Sequence, residues 1–595
     1  MVTTLSELLL NSLKSYPKDE FMLVKKDGRF EPLSMAEFGR TIEHLSLGLG
    51  ELGLGTGDKM IILSENRPEW TMTDFACICR GGITVPVYTT LTPHQVEYII
   101  NDSDAKVVMV SDDAQWAKIA DVKADLPRVQ HFITFAPRAP EGVLTLAQVV
   151  ERGARVASRD SDAFVTRARA LKPEDEASII YTSGTTGMPK GVILTHKNFV
   201  SNITTVATII EFNERDTVLS FLPLSHVLER MVMFTYIYKG CTIAFAESVE
   251  MVAQNLVEVR PSIMVSAPRV FEKMYAKVMD NVLMSSKLKR KIFFWALNVG
   301  KKCGARTLSR RPVGSWLGFK RRLAHKLVYS KILEKTGGRI RFFVSGGAPL
   351  AKDIAEFFYA LGIVILEGYG LTETSPAIAI NTFERMKFGT VGPPIPGVEV
   401  KIAPDGEILT RGPNVMKGYY KKPAETQEVF EGDWLKTGDI GVLDAEGFLA
   451  ITDRKKDLII TSGGKNIAPQ PIENTLKTNP YIANVAVIGD RRRFISALIV
   501  PNFEKLEEYA RFNQIPFSSR AELVNNGQVV NFLKAEIDRA TPDLASYERI
   551  KKIAVLARDF EIAQDEMTPS LKIKRNIVQE KYKAVIDAMY KEDLG

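Results

Sequence analysis

The chain has 595 residues, more than one compact core holds, and that length predicts roughly three or four domains or subdomains. Hydrophobic residues make up 45% and charged residues 25%, ordinary for a soluble globular protein, and no apolar run reaches the roughly 18 residues of a membrane span. The net charge of +7 is unevenly spread: sixteen Lys/Arg face the single acid Glu334 between Ser285 and Arg339, so the remainder is mildly acidic.

The opening stretch, MVTTLSELLLNSLKSYPKDE, lacks the basic start, long apolar run and cleavage site of a secretory signal. Leu5, Leu8, Leu9 and Leu13 instead suit one face of a short helix. KMIILSENRPEW (59–70) reads as a strand, a turn and a helix opening at Pro68. Residues 81–112 read strand, helix, strand, and residues 341–373 repeat that order. Such units predict α/β layers with largely parallel sheets, with ligands at the carboxyl ends of the strands. Cys77, Cys79, Cys241 and Cys303 show no zinc spacing and read as reduced packing residues of a cytosolic protein. The six histidines contain no H-x-x-x-H pair, which gives no support to a histidine-built metal site.

Residues 181–191, YTSGTTGMPKG, concentrate glycine, hydroxyls and Lys190 directly after an apolar run. Backbone N–H groups freed by glycine close around an anion, and a lysine adds full charge. The loop is not the common phosphate loop, which needs Gly-Lys-Ser/Thr. Here Pro189 precedes the lysine and Gly191 follows it. From about Val391 the texture turns rich in Gly and Pro with short β-type runs, predicting a small strand-rich subdomain up to residue 453. DRKKDLIITSGGKNIAPQPIE (453–473) reads as a junction, and the rest as a small α+β domain.

In order, LPLSHVLER (222–230), SAPRVFEKMY (266–275), SGGAPL (345–350), EGYGLTETSP (367–376), KTGD (436–439), DRKKD (453–457) and MTPSLKIKR (567–575) follow the loop at 181. This series resembles the adenylate-forming enzymes over nearly the whole chain: acyl-CoA synthetases, luciferases and peptide-synthetase adenylation domains. PLSHVLER with Glu229-Arg230, APRVFEK and the TPSLK ending are similar to the long-chain fatty acyl-CoA synthetases. Leu571 stands where that family's final motif usually has glycine. The resemblance implies an N-terminal domain of layered α/β subdomains over 1–453 and a small mobile α+β lid over 454–595, hinged at Lys456.

It also implies two half-reactions. Fatty acid and ATP with Mg2+ give acyl-AMP and pyrophosphate; coenzyme A then gives acyl-CoA and AMP. Carried onto this sequence, Thr182, Ser183, Gly184, Thr185, Thr186, Gly187 and Lys190 hold the β- and γ-phosphates, and Thr182 and Glu373 are the magnesium ligands. Tyr369, within Glu367-Gly368-Tyr369-Gly370, stacks on the adenine, with Ser345, Gly346, Gly347, Ala348 and Pro349 as the opposite wall. Thr372 donates to the α-phosphate, and Asp439 accepts the ribose hydroxyls with Arg454 in support. Lys572 stabilises charge on the α-phosphate, chosen over Lys574 and Arg575 by motif register alone.

Two readings stand for His226: a border of the acyl pocket, or a satisfied core histidine. Met231, Met233, Phe234 and Tyr236 carry the same two readings. KLKRKIFFWALNVGKKCG and GSWLGFKRRLAHKLVYSKIL set cations among Phe293, Phe294, Trp295 and Leu297 and their counterparts. That pattern fits peripheral contact with an anionic membrane on its cytoplasmic face or a solvated helical hairpin; no nucleic-acid motif accompanies it. The expected function is therefore an AMP-forming long-chain fatty acid–CoA ligase. A ligase for another carboxylic acid, an acyl-AMP ligase loading a carrier protein, and a non-catalytic lipid-binding or scaffold protein are the alternatives.

Overall fold

The computed structural model describes residues 2–182, 188–463, 465–542, 544–562, 564–568 and 572–591. Two eight-stranded sheets dominate. One has the order 418–419, 190–195, 176–182, 83–87, 59–63, 105–110, 131–134 and 144–145. The other has the order 377–380, 365–370, 342–345, 263–266, 217–220, 242–245, 22–26 and 29–33. Their central pairings are parallel, as the strand–helix–strand stretches predict. Every residue of strand Ile83–Val87 is buried, because a central parallel strand is covered on both faces.

Helices Met35–Glu51, Pro68–Cys79, His196–Ile209 and Val227–Tyr238 share one apolar core with residues of both sheets. Helix Leu5–Ser15 joins that core through Leu5, Leu8 and Leu9. Within the layer lies a fully buried ion pair. Arg230 Nε donates to Asp74 Oδ2 at 2.8 Å, Nη2 donates to Asp74 Oδ1, and Nη1 donates to Ser178 Oγ. The rings of Trp70, Phe199 and Phe234 surround the guanidinium. Beside it Glu229 is buried with Ser220 Oγ donating to it at 2.6 Å, and burial raises its carboxyl to about 8. Met233, Phe234 and Tyr236 belong to the core, whereas Met231 also reaches the cleft described below.

Strands Glu399–Ile402, Glu407–Arg411, Phe430–Glu431, Trp434–Leu443 and Leu449–Arg454 form an antiparallel five-stranded sheet, the strand-rich subdomain expected after Val391. Beyond it, strands Ile482–Ile488, Ser496–Pro501 and Lys552–Val555 make a three-stranded sheet flanked by helices. The fold is thus a large N-terminal α/β part followed by a small α+β part.

The basic segment folds as helix Lys287–Leu308, helix Ser315–Ala324 and a π-helical turn His325–Tyr329. Phe293 is buried and Trp295 and Leu297 are half-buried against helix Lys352–Ala360 and its surroundings. Those aromatics therefore pack inward, and the outward ones are Phe294, Trp316 and Phe319. All four cysteines are free and buried. Among the described residues no helix is long and apolar enough to cross a membrane.

Candidate active site

A single cleft of about 1720 Å³ lies at the carboxyl ends of the central strands and beneath the C-terminal part. Thr182, Lys190, His226, Gly346, Gly347, Ala348, Pro349, Glu367, Gly368, Tyr369, Gly370, Thr372, Glu373, Asp439, Arg454, Lys456 and Lys572 all line it. Ser183, Gly184, Thr185, Thr186 and Gly187 lie outside the described residues. Their anchors are placed: Thr182 ends one strand, Lys190 begins the next, and the two pair directly.

Lys190 Nζ sits over the Tyr419 ring at 5.2 Å, and Tyr419 OH donates to Glu373 Oε1 at 2.9 Å. One aromatic residue thus touches the loop cation and the acid together. The turn carrying Thr372 and Glu373 is held from behind by two buried asparagines. Asn202 and Asn414 each donate to Thr374 O and Ala377 O, and Met416 N donates to Glu373 O at 2.8 Å. Tyr419, Asn202 and Asn414 are the supports of the candidate site that the motifs do not point to.

The wall expected opposite Tyr369 is the strand-to-helix turn after Phe342–Ser345. Gly347 has φ +80°, and a Cβ on Gly346 would meet Leu228 Cδ2 at 2.9 Å. Both glycines are therefore set by this turn and its neighbour. Ser345 Oγ is buried with no partner among the described residues. Burial pushes the neighbouring Glu367 carboxyl up to about 8.

Asp439 and Arg454 face each other across two antiparallel strands. Arg454 Nε donates to Asp439 Oδ1 at 2.8 Å, and Tyr369 OH donates to Asp439 Oδ2 at 2.7 Å. The three side chains form one rigid corner.

Lys572 enters from the C-terminal part. It is exposed to the cleft, yet the surrounding walls first, and Arg454 second, lower its ammonium to about 8. Its charge also helps hold His226 neutral: burial first, and Lys572 second, lower that imidazole to about 4. His226 caps helix Val227–Tyr238, its Nδ1 accepting from Leu228 N at 3.2 Å. In the neutral ring this leaves Nε2 as a donor. The rival cations border the same cleft but are each held by an acid. Lys574 pairs with Asp565, and Arg575 donates to Glu473 Oε1 and Val487 O at 2.7 Å each.

At the junction, Lys455 is pinned to the N-terminal part. Its Nζ lies 2.7 Å from Asp405 and Glu407, and its N–H donates to Gly438 O. Lys456 is the next residue and lines the cleft. Across the junction, buried Asp453 accepts at Oδ2 from Gln470 N at 3.0 Å, the N-terminus of helix Pro469–Leu476.

A fold of two such parts closing on a cleft of loop lysine, acid, aspartate and approaching lysine is that of the adenylate-forming enzymes. Residues 10–420 match the AMP-binding enzyme family and residues 456–594 its C-terminal domain; the chain belongs to that family. It is 36% identical over 572 residues to the long-chain-fatty-acid–CoA ligase FadD15 of Mycobacterium bovis, covering 95% of this chain and 94% of that one. It is 31% identical to the peroxisomal long chain acyl-CoA synthetase 7 of Arabidopsis thaliana, over 99% of this chain and 87% of that one. Among solved structures it resembles the anthranilate CoA ligase AuaEII in complex with anthranoyl-AMP. The TM-score is 0.72 at 20% identity, over 98% of both chains, a likeness of fold.

Proposed function

We propose that the chain is an AMP-forming long-chain fatty acid–CoA ligase. The observation that carries this reading is the convergence of Lys190, Glu373, Asp439 and Lys572, from four separate segments, on one cleft. That cleft also runs on between two helices whose facing residues are apolar.

In the first half-reaction a carboxylate oxygen attacks the α-phosphorus of ATP, and the bond to the bridging oxygen breaks to release pyrophosphate. Lys190 and the loop at 183–187 hold the outer phosphates. Thr372 donates to the α-phosphate. The corner of Tyr369, Asp439 and Arg454 receives the adenosine, with the Gly346–Pro349 turn opposite. Lys572 meets the charge that develops on the α-phosphate and bridging oxygen, a contact worth more in the transition state than in the ground state. Neutral His226 borders the acyl group with its Nε2 proton available.

Magnesium fits the donors present. Thr182 Oγ1 and the Glu373 carboxylate are hard oxygens, and Tyr419 engages only Oε1 of Glu373. Mg2+ bound there would neutralise polyphosphate charge and orient the phosphates.

In the second half-reaction the coenzyme A sulfur attacks the acyl carbon, its thiol proton leaves, and AMP departs with the bonding pair. Lys572 must yield its place, which we assign to rotation of residues 454–595 about Lys456 against residues 1–453. Pyrophosphate release from MgATP with a panel of carboxylic acids, with and without coenzyme A, tests the whole reading. We expect release favouring long acyl chains and coenzyme A-dependent thioester. Release without thioester would reassign the chain to an acyl-AMP ligase with another acceptor, and failure to bind ATP would leave a scaffold.

The basic segment supports peripheral contact with an anionic membrane by a cytoplasmic enzyme. Trp316 and Phe319 are 67% and 57% exposed, their rings stacked at 5.7 Å, with Lys320 Nζ over Trp316. Leu323 and Leu327 extend the stripe outward, and Arg321, Arg322 and Lys326 are exposed around it. An apolar stripe among cations suits the boundary of headgroups and acyl chains. Reversing Lys320, Arg321 and Arg322 to glutamate, together with Trp316→Ser and Phe319→Ser, should abolish cosedimentation with phosphatidylserine vesicles. Acyl-CoA formation without vesicles should be unchanged; retained vesicle binding would defeat the assignment.

A further inference from the structure

The cleft continues past His226 between helix His196–Ile209 and helix Val227–Tyr238. On the second helix Val227, Leu228, Met231, Val232 and Thr235 line it, positions that recur on one helical face. From His226 to Thr235 the axial rise is about 13 Å. Val206, Ile210 and Phe212 line the opposite side. Thr235 Oγ1 donates back to Met231 O at 2.9 Å, so its hydroxyl is satisfied within its own helix and offers the branch no free donor. The branch is an apolar slot that opens from the cleft beside His226.

Phe212 also lines it, and its ring packs on Phe342 at the start of the strand whose far end, Ser345, borders the cleft, which puts Phe212 toward the inner end. The ring is nearly buried and packs edge-on against Tyr236 at 6.0 Å and Phe342 at 6.1 Å. Tyr236 and Phe342 are themselves buried in the core, with Phe342 opening a central strand. Phe212 is therefore backed by immobile neighbours on the side away from the cleft. An interior packed this densely does not yield smoothly to added volume.

We propose that Phe212 is the floor of the acyl branch and the residue that sets the longest chain accepted. The assignment rests on the reading of the branch as the acyl site. A saturated acid carries no polar group beyond its carboxylate, so only apolar contact and volume distinguish one length from the next. Each methylene that finds the wall raises kcat/KM by about fourfold. The methylene that meets Phe212 ends that rise, and longer chains lose.

The test is kcat/KM for acyl-CoA formation across a series of saturated fatty acids, for wild type, Phe212→Leu and Phe212→Ala. The break in the profile should move to longer chains, further for alanine than for leucine. Acids too short to reach the floor should stay within about twofold of wild type, since each step is worth about fourfold. Phe212→Leu decides the question if Phe212→Ala fails to fold, and Val232→Phe, which narrows the branch at a lining position, should move the break to shorter chains if the acyl group occupies it. An unmoved break, or an equal loss at every length, overturns the floor assignment. A wild type inactive on every acid in the series overturns the acyl-site reading and the floor with it.

Discussion

Lys572→Ala should lower pyrophosphate release by about 10²–10³-fold, the usual effect of removing one preorganised charge or donor from a transition state. Thioester formation from supplied acyl-AMP and coenzyme A should remain close to wild type. The split follows from geometry. Lys574 and Arg575 border the same cleft but are held by Asp565 and Glu473, whereas Lys572 makes no ion pair among the described residues. The cleft walls and Arg454 lower the ammonium to about 8, so kcat/KM for adenylation should fall as pH rises through that value, while charge is still present below it. Bound polyphosphate favours the ammonium, which places the limb in kcat at higher pH. Lys572→Arg keeps its charge at all working pH values and should erase the limb. The mirror variant, Lys456→Pro, should impair the thioester step more than adenylation. Equal loss of both half-reactions in both variants would defeat the two-posture mechanism.

Asp74→Ala should cost about 3–5 kcal/mol, the range for breaking a buried pair by removing one partner. That is a large part of a typical domain's stability. Asp74 and Arg230 side chains are both 0% exposed, and without the carboxylate a guanidinium stays stranded among Trp70, Phe199 and Phe234. Urea unfolding followed by tryptophan fluorescence reads the loss through Trp70. Replacing both partners by apolar residues, Asp74→Leu with Arg230→Met, should recover most of it, because desolvation opposes the pair as strongly as attraction favours it. A loss below about 1 kcal/mol in Asp74→Ala would place the pair among ordinary surface bridges.

This pair also shows what the sequence reveals and what it hides. Glu229-Arg230 stands out as a motif, yet its partner lies 156 residues away, and no local pattern announces it. Strand–helix–strand order is legible because period and turn chemistry are local, and helix Pro68–Cys79 opens at the proline that marks it. The glycine- and hydroxyl-rich stretch 181–191 and the acid of GYGLTE are legible as motifs. Their support is not: Asn202 reaches Thr374 over 172 residues, and Tyr419 reaches Glu373 over 46. Lys572 is distinguished from Arg575 only when Glu473, distant in sequence, is seen to occupy the latter. Nor does the basic segment divide by pattern alone. Phe293 and Phe294 are neighbours, and only packing against helix Lys352–Ala360 sends one inward.

The junction deserves to be considered as a machine part. With Lys455 fastened to Asp405 and Glu407 and the next strand beginning at Ile459, very few backbone torsions lie between the two anchored segments. A modest twist there is multiplied by the radius out to Lys572, as a short crank moves the tip of a long lever. Under the rotation proposed about Lys456, the Asp453–Gln470 bond would act as a detent, to be released whole before the C-terminal part could turn. A linkage so built would snap between stops and spend little time between them.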